Sequence, residues 1–146
     1  MNKITKFVIS LSVFLLSLIG LTGCDGYVKG VQVNSYTSLE EGWYEGMFSA
    51  AGGTYTNRFE TPSSLPGYEV DVTLRISVES GMMLVSLKDP DGTLISDTVT
   101  PERPIQLSGR TIIDTDAQIY YIPVVFAVNG DGEVTGISYS LSYLVP

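Results

Sequence analysis

The chain has 146 residues, no histidine, a single cysteine and a formal net charge of −8. The absence of histidine excludes a Ser-His-Asp triad, a Cys-His pair and the usual histidine-containing zinc sites. The excess of acids over bases argues against nucleic acid as a partner, because phosphate binding requires clustered Lys and Arg side chains. Carboxylate chemistry, a calcium site or a purely binding role remains compatible with this composition.

The N-terminus has the organisation of an export signal. Lys3 and Lys6 precede an apolar run over residues 7–21, which is shorter than the roughly 20 residues that a membrane-spanning helix requires. The run ends in Leu21-Thr22-Gly23-Cys24. This motif resembles the lipobox of bacterial lipoproteins, in which the cysteine is acylated before the signal is cleaved.

The resemblance implies three segments. Residues 1–23 are a signal peptide with a cleaved signal helix, residues 24–42 hold the lipidated cysteine and a short tether with one short strand at Tyr27–Val33, and residues 43–146 form the folded domain. The resemblance also implies palmitate-type acyl chains on Cys24, which would anchor the protein to the extracytoplasmic side of a cell membrane or outer membrane. Asp25 resembles the residue that retains enteric lipoproteins at the inner membrane.

Alternation of apolar and polar residues predicts β-strands after the tether, and no sustained helical periodicity is present. Asp89-Pro90-Asp91-Gly92 predicts a turn, and Asn129-Gly130-Asp131-Gly132 predicts a hairpin. Pro123 predicts a bulge or an edge segment. The predicted strands cover residues 68–79, 81–88, 93–100, 105–107, 111–113, 117–128 and 137–145.

Seven to nine short strands of this kind predict an all-β fold, a single antiparallel β-sandwich of which the jelly roll is one form. The pieces VTLRISVESG, LVSLKDPDGTLI, IYYIPVVFAV and ISYSLSYL are similar to small β-sandwich modules of exported bacterial proteins, among them the pre-peptidase C-terminal type. The resemblance implies an accessory module that binds or positions and has no catalytic residues.

Five oxygen-bearing residues in two turns are candidate calcium ligands. Ca²⁺ requires six to eight oxygen ligands, and weak extracellular sites often lie in loops. Ordinary turn geometry explains the same residues without an ion, and the sequence favours that interpretation; no other cofactor is indicated. The candidates are Asp89, Asp91, Asn129, Asp131 and Glu133.

Trp43 and Tyr44, with Tyr36 and Tyr55 nearby in sequence, are candidates for an aromatic platform that stacks on a sugar ring. The favoured alternative places Trp43 and Phe48 in the core and leaves Tyr44 as an exposed neighbour. Three acids that could bind sugar hydroxyls lie close in sequence, Glu40, Glu41 and Glu45.

Glu69, Asp71 and Glu79 share one face of a predicted strand. Alternate residues of a strand lie about 6.6 to 7 Å apart, which is within the spacing that the carboxylate pair of an inverting glycosidase needs. The favoured interpretation is a solvated acidic face interrupted by Arg75. The serines at 138, 140 and 142 likewise predict a solvent-facing stripe.

These observations predict a lipid-anchored extracytoplasmic β-sandwich that acts as a non-catalytic binding or accessory component of the bacterial cell envelope and contacts an envelope protein or glycan. The alternative is a carbohydrate- or calcium-dependent recognition module. A carboxylate-based hydrolase is the third interpretation.

Overall fold

The structure, a computed structural model, describes residues 26–62, 69–130 and 132–146. All regular elements in these residues are β-strands, every strand pair is antiparallel, and no helix there could span a bilayer. The all-β antiparallel fold is therefore as predicted. The strands are β1 Gly26–Lys29, β2 Gln32–Thr37, β3 Glu41–Thr61, β4 Glu69–Ser77, β5 Met83–Lys88, β6 Leu94–Val99, β7 Ile105–Ile112, β8 Asp114–Asp116, β9 Ile119–Val128 and β10 Glu133–Leu144.

Two sheets share the long strand β3 and enclose one core. In sheet A, the first half of β3 pairs with β1 and β2 on one side and with β10 on the other, and β4 and β7 follow. In sheet B, the second half of β3 pairs with β9, and β5 and β6 follow, with the short β8 also on β9. The arrangement is a β-sandwich that closes nearly into a barrel.

The core consists of the apolar positions of the alternating strands. Val70, Val72, Leu74 and Ile76 of β4 are each no more than 2% exposed, and the in-phase residues of β5, β9 and β10 are buried against them. Each fully buried side chain of this type contributes about 1.5–3 kcal/mol, so the alternating pattern is also the main stabilising feature. The predicted phases of β4, β5 and β10 are thus confirmed.

Small residues allow β3 to pass from sheet A to sheet B. Its pairing with β10 ends at Gly52, and its pairing with β9 begins at Thr54. A Cβ atom at Gly52 would lie only 2.6 Å from the Tyr27 ring, and Gly53 has a φ of 62°, which favours glycine. The backbone therefore bends at this point while β1 stays close to it.

Strands β1 and β2 occupy most of the stretch that the sequence assigned to the tether. Both pair with β3 in one common register, from Gly26 opposite Gly53 to Thr37 opposite Gly42, with an interruption at Gly30, whose φ is 61°. The sequence predicted a single strand over Tyr27–Val33 here, because the uniformly exposed and mostly polar residues of the second strand show no alternation. Residues 1–25, which include the predicted signal and Cys24, lie outside the described residues.

Two local predictions differ from the structure, and one of two alternatives at Pro123 agrees with it. The two strands predicted around Gly109 are a single strand, β7, in which the missing Cβ of Gly109 makes room for the Ile95 side chain. Strands β9 and β10 do not form a hairpin, because β3 lies between them. Of the two alternatives predicted for Pro123, the structure has the edge segment and not the bulge: Pro123 stays in register with Arg58 of β3, and its other side lies unpaired between the segments of β9 that pair with β8 and β5.

Candidate functional site

The candidate calcium ligands are not brought together. Because β5 and β9 are antiparallel, Asp89 and Asp91 after β5 lie at the opposite end of that pair from Asn129 after β9, roughly 20 Å away along the strands. Glu133 begins β10 beyond Asn129, and Asp131 lies outside the described residues. Within residues 26–62, 69–130 and 132–146 no group of three or more metal-ligating side chains occurs.

The carboxylate oxygens of Asp89 and Asp91 accept hydrogen bonds within the turn that follows β5. Asp89 Oδ1 accepts the backbone N–H groups of Asp91 and Thr93 at 3.1 and 2.9 Å, and Asp91 Oδ1 accepts the N–H of Thr93 at 3.1 Å. A side-chain hydrogen bond with Asp91 raises the pKa of Asp89. Gly92 closes the turn with a φ of 92°.

Glu133 holds the first strand to β10. Its carboxylate accepts a hydrogen bond from the Tyr27 hydroxyl, and Lys29 Nζ lies 3.4 Å from Oε2. The Tyr27 hydrogen bond lowers the pKa of Glu133. This residue therefore fixes β1 in place in the described structure.

Trp43 and Tyr44 lie on opposite faces of β3. Trp43 is 42% exposed on the outer face, whereas the Tyr44 ring packs edge-to-face on Phe59 at 5.2 Å and its hydroxyl donates to the Glu60 carbonyl oxygen. Burial raises the pKa of Tyr44 to about 12. The two residues cannot form one platform. The favoured assignment of Trp43 to the core and of Tyr44 to the surface is wrong, because β3 turns Tyr44 inward, while that of Phe48, 1% exposed, is confirmed.

Glycines at inward positions made it difficult to predict from the sequence which residues of β3 point into the core. The inward positions of β3 before Phe48 are Gly42, Tyr44 and Gly46, so the alternation lacks apolar side chains at two of three places. A Cβ atom at Gly42 would lie 2.6 Å from Cζ of Tyr143. The Tyr143 ring of β10 therefore packs directly on the backbone of Gly42. This contact follows from the strand register and cannot be recognised from the local sequence.

The outer face of sheet A carries two parallel rows of side chains. Directly opposite residues of an antiparallel ladder share a face, with Cβ atoms about 4.5–5.5 Å apart. One row, the aromatic row, follows from the registers as Tyr36, Trp43, Ser142, Thr73 and Ser108. The next, the polar row, is Asn34, Glu45, Ser140, Arg75 and Gln106.

The polar row offers both donors and acceptors to a ligand. Arg75 Nε donates to Gln106 Oε1 at 2.9 Å, and no carboxylate among the described residues lies within ion-pair distance of the guanidinium. A shallow depression of about 580 Å³ is bordered by Arg75, Gln106, Glu45 and Ser140. A second depression, of about 340 Å³, joins Trp43 to Arg75.

The serine stripe of β10 supplies the middle of this face. Ser138, Ser140 and Ser142 all point outward, as the sequence predicted. Of the four aromatic residues grouped by sequence, the structure retains only Tyr36, 51% exposed, and Trp43 as outward neighbours. The combined face was not predicted, because its rows cross five strands.

The acidic face of β4 is neutralised by Arg110 of β7. Arg110 Nε lies 2.9 Å from Asp71 Oδ1, and its Nη1 lies 3.7 Å from Glu69 Oε2. The hydrogen bond from Arg110 lowers the pKa of Asp71, which is opposite to the shift that a general acid requires. Glu79 lies beyond the end of β4, where its side chain covers Gly136.

No protein-family model and no curated protein matches the chain. Among solved structures, Bacillus endospore appendages, which form disulfide-linked pili, are similar at 8% identity and a TM-score of 0.43, over 84% of this chain and 93% of that one. A recombinant oxalate oxidase in complex with glycolate aligns at 12% identity and a TM-score of 0.40, over 80% and 52%. The cysteine peptidase peruvianin-I from Thevetia peruviana latex aligns at 13% and 0.37, over 80% and 62%.

The chain therefore spans between about half and two thirds of the length of the oxidase and the peptidase. With TM-scores below 0.5, these likenesses assign no family and no function.

Proposed function

We propose that this protein is a lipid-anchored, extracytoplasmic, non-catalytic binding component of the bacterial cell envelope, and that the outer face of sheet A binds a neutral glycan. The observation that carries the proposal is the aromatic row beside the polar row. Tyr36 and Trp43 are exposed next to each other, and Glu45 and Arg75 lie in the adjacent row.

The two rows match the two chemistries of a sugar ring. A pyranose has an apolar face of C–H groups, which stacks on the rings of Tyr36 and Trp43, and an edge of hydroxyls, which reaches the polar row. The rows are about 6.6 to 7 Å apart, since they are two residues apart along each strand. Glu45 accepts from hydroxyls, and Arg75 and Gln106 bring donors.

A neutral ligand fits the charge of this face better than an anionic one. Glu45 and Arg75 lie two strands apart in the same row, so their charges offset each other. The chain as a whole carries a net charge of −8, which repels polyanions at a distance.

The lipid anchor brings this domain close to a bilayer. The first strand begins at Gly26, two residues after Cys24, and two residues of extended chain span at most about 7 Å. The export-signal pattern, the lipobox-like motif and the lone cysteine support acylation at that position.

The glycan proposal is tested by thermal unfolding of the full chain in detergent with a panel of neutral polysaccharides. A ligand at 100 times its Kd stabilises the folded state by about 2.7 kcal/mol, which raises the Tm by several degrees. Trp43→Ala is expected to remove the shift, because the stacking surface is lost.

Leu84→Ala, on the outer face of sheet B, is the matched control and is expected to keep the shift. Absence of a shift with every glycan, or an equal shift in the Trp43→Ala chain, would contradict the proposal.

The anchor is tested separately by Cys24→Ala. Without the acylated sulfur, the protein is expected to leave the membrane fraction, because the lipid is its only proposed attachment. Fractionation followed by immunoblotting measures this, with Trp43→Ala as a control that stays bound. Continued membrane retention of the Cys24→Ala chain would overturn the lipoprotein assignment while leaving the glycan face untested by that result.

A further inference from the structure

Strand β2 is an edge strand that no other part of residues 26–62, 69–130 and 132–146 covers. Each of its six residues is exposed, and it pairs with β3 alone among the described strands. One row of its backbone N–H and C=O groups therefore faces solvent, and such a row is a template for a further strand.

The other edges of the two sheets carry charges or contacts that oppose strand addition. The second half of β3 presents Arg58 and Glu60. The edge strand β6 carries Asp97, and β8 carries Asp114 and Asp116. On the far side of sheet A, the Thr111 hydroxyl of β7 donates to a β5 carbonyl oxygen at 2.6 Å. Charged edge residues are a common protection against edge-to-edge pairing.

Strand β2 has no such protection. Its sequence, QVNSYT, contains no charge and no proline, and the ladder with β3 runs without a bulge. Val33 is 51% exposed and Val31, just before the strand, is 55% exposed, so sheet B does not cover them. An uncovered apolar pair beside an unpaired backbone edge indicates a partner strand.

We infer that β2 pairs antiparallel with β2 of a second copy of this chain, so that two sheets A join into one continuous sheet. A second copy fits because two chains of net charge −8 repel each other least where both are uncharged. In a pairing centred on Asn34, Val33 faces Ser35 and Gln32 faces Tyr36, so no like charges meet. The pairing is isologous, which is the commonest form of homodimer interface.

Dimerisation would also extend the outer face described above. Tyr36 lies on β2, so the aromatic rows of the two copies would lie on the same face of the joined sheet. The inference itself depends neither on the glycan nor on the lipid.

Cysteine crosslinking in native membranes tests the pairing. Because Cys24 is the only cysteine and is proposed to be acylated, an introduced cysteine would be the only free thiol. Among single cysteines at positions 32 to 36, Asn34→Cys alone is expected to give an efficient disulfide-linked dimer, because only position 34 lies opposite itself across the two-fold axis. Opposed Cα atoms in a strand pair fall within the 4.4–6.8 Å range that a disulfide needs.

Ser142→Cys is the matched control, since this exposed residue lies on the central strand β10 and cannot take part in edge pairing. No crosslink at any β2 position would overturn the proposal, as would equal crosslinking at β2 and at Ser142→Cys. A crosslink to a different protein without a dimer would also overturn it.

Light scattering of the detergent-solubilised full chain gives an independent reading. The protein mass is expected to be twice that of one chain, and Val33→Glu is expected to halve it by placing like charges across the interface. Leu84→Glu, at a position of sheet B that is 40% exposed, is expected to leave the dimer intact. A monomeric mass for the unsubstituted chain, or a dimer that Val33→Glu does not dissociate, would refute the pairing.

Discussion

Tyrosine rings of β10 occupy space that glycines leave on β3. A Cβ atom at Gly46 would lie 2.5 Å from Cζ of Tyr139 and 2.7 Å from the backbone oxygen of Gln32. The Tyr139 ring in turn packs 5.3 Å from Phe48 and 5.5 Å from Phe59, so it cannot move away freely. A side chain at Gly46 would therefore disturb both the aromatic cluster and the position of β2.

Gly46→Ala is accordingly expected to destabilise the domain by about 1–3 kcal/mol, the usual cost of overpacking a close contact. Thermal or urea unfolding measures the loss. Gly132→Ala serves as the control, because a Cβ there would have its nearest neighbour at 3.5 Å, an ordinary contact. Equal stability of the two variants would show that the ring and β2 adjust without cost.

Sequence reasoning at the residue scale succeeded for turns and failed for these glycines. The hydrogen bonds of Asp89 and Asp91 are local, so the turn after β5 could be read from four residues. The inward phase of Gly46 depends on a ring from β10, about 90 residues away in the chain, and no local pattern encodes it.

At the scale of elements, strands with one buried and one solvated face were predictable. β4, β5 and β10 alternate because one face packs in the core and the other meets water. The hairpin predicted between β9 and β10 failed, because the placement of β3 between them is a property of the whole fold. Local turn residues permit a hairpin but do not determine which strands pair.

The candidate face was predictable only in part for the same reason. The outward serines of β10 and the acidic residues of β4 followed from alternation alone. The alignment of Trp43 with Tyr36, and of Glu45 with Arg75, requires the registers of three strand pairs. The alternation of residues within one strand does not show which residues of the neighbouring strand lie opposite. The sequence therefore suggested a platform of Trp43 with its chain neighbour Tyr44.

At the scale of the whole molecule, three exposed carboxylates are held by partners in other elements or turns. In each, a hydrogen bond from its partner lowers the carboxyl pKa, and the usual values are 3.8 for aspartate and 4.5 for glutamate. A depressed folded-state pKa contributes stability above the unfolded-state value, and this stability is lost as the pH falls through the folded value. The pairs are Asp71 with Arg110, Asp97 with Arg103, and Glu133 with Tyr27.

The Tm is therefore expected to be nearly constant from pH 7 to about pH 5 and to fall below about pH 4.5. Differential scanning calorimetry across this range measures the loss, which should be small and salt-dependent because the pairs are exposed. Asp97→Asn should reduce the acid slope, whereas Thr98→Ala should not remove it. A Tm that is independent of pH down to pH 3 would contradict the assigned role of these pairs.

The sharing of β3 between the two sheets has a consequence for the order of folding. β3 needs partners from β1, which begins at residue 26, and from β10, which ends at residue 144. Neither sheet can be completed before β9 and β10 have been synthesised, and such non-local pairing is intrinsically slow, in the range of about milliseconds to seconds. A chain of this topology therefore cannot complete either sheet until nearly all of its strands have left the ribosome.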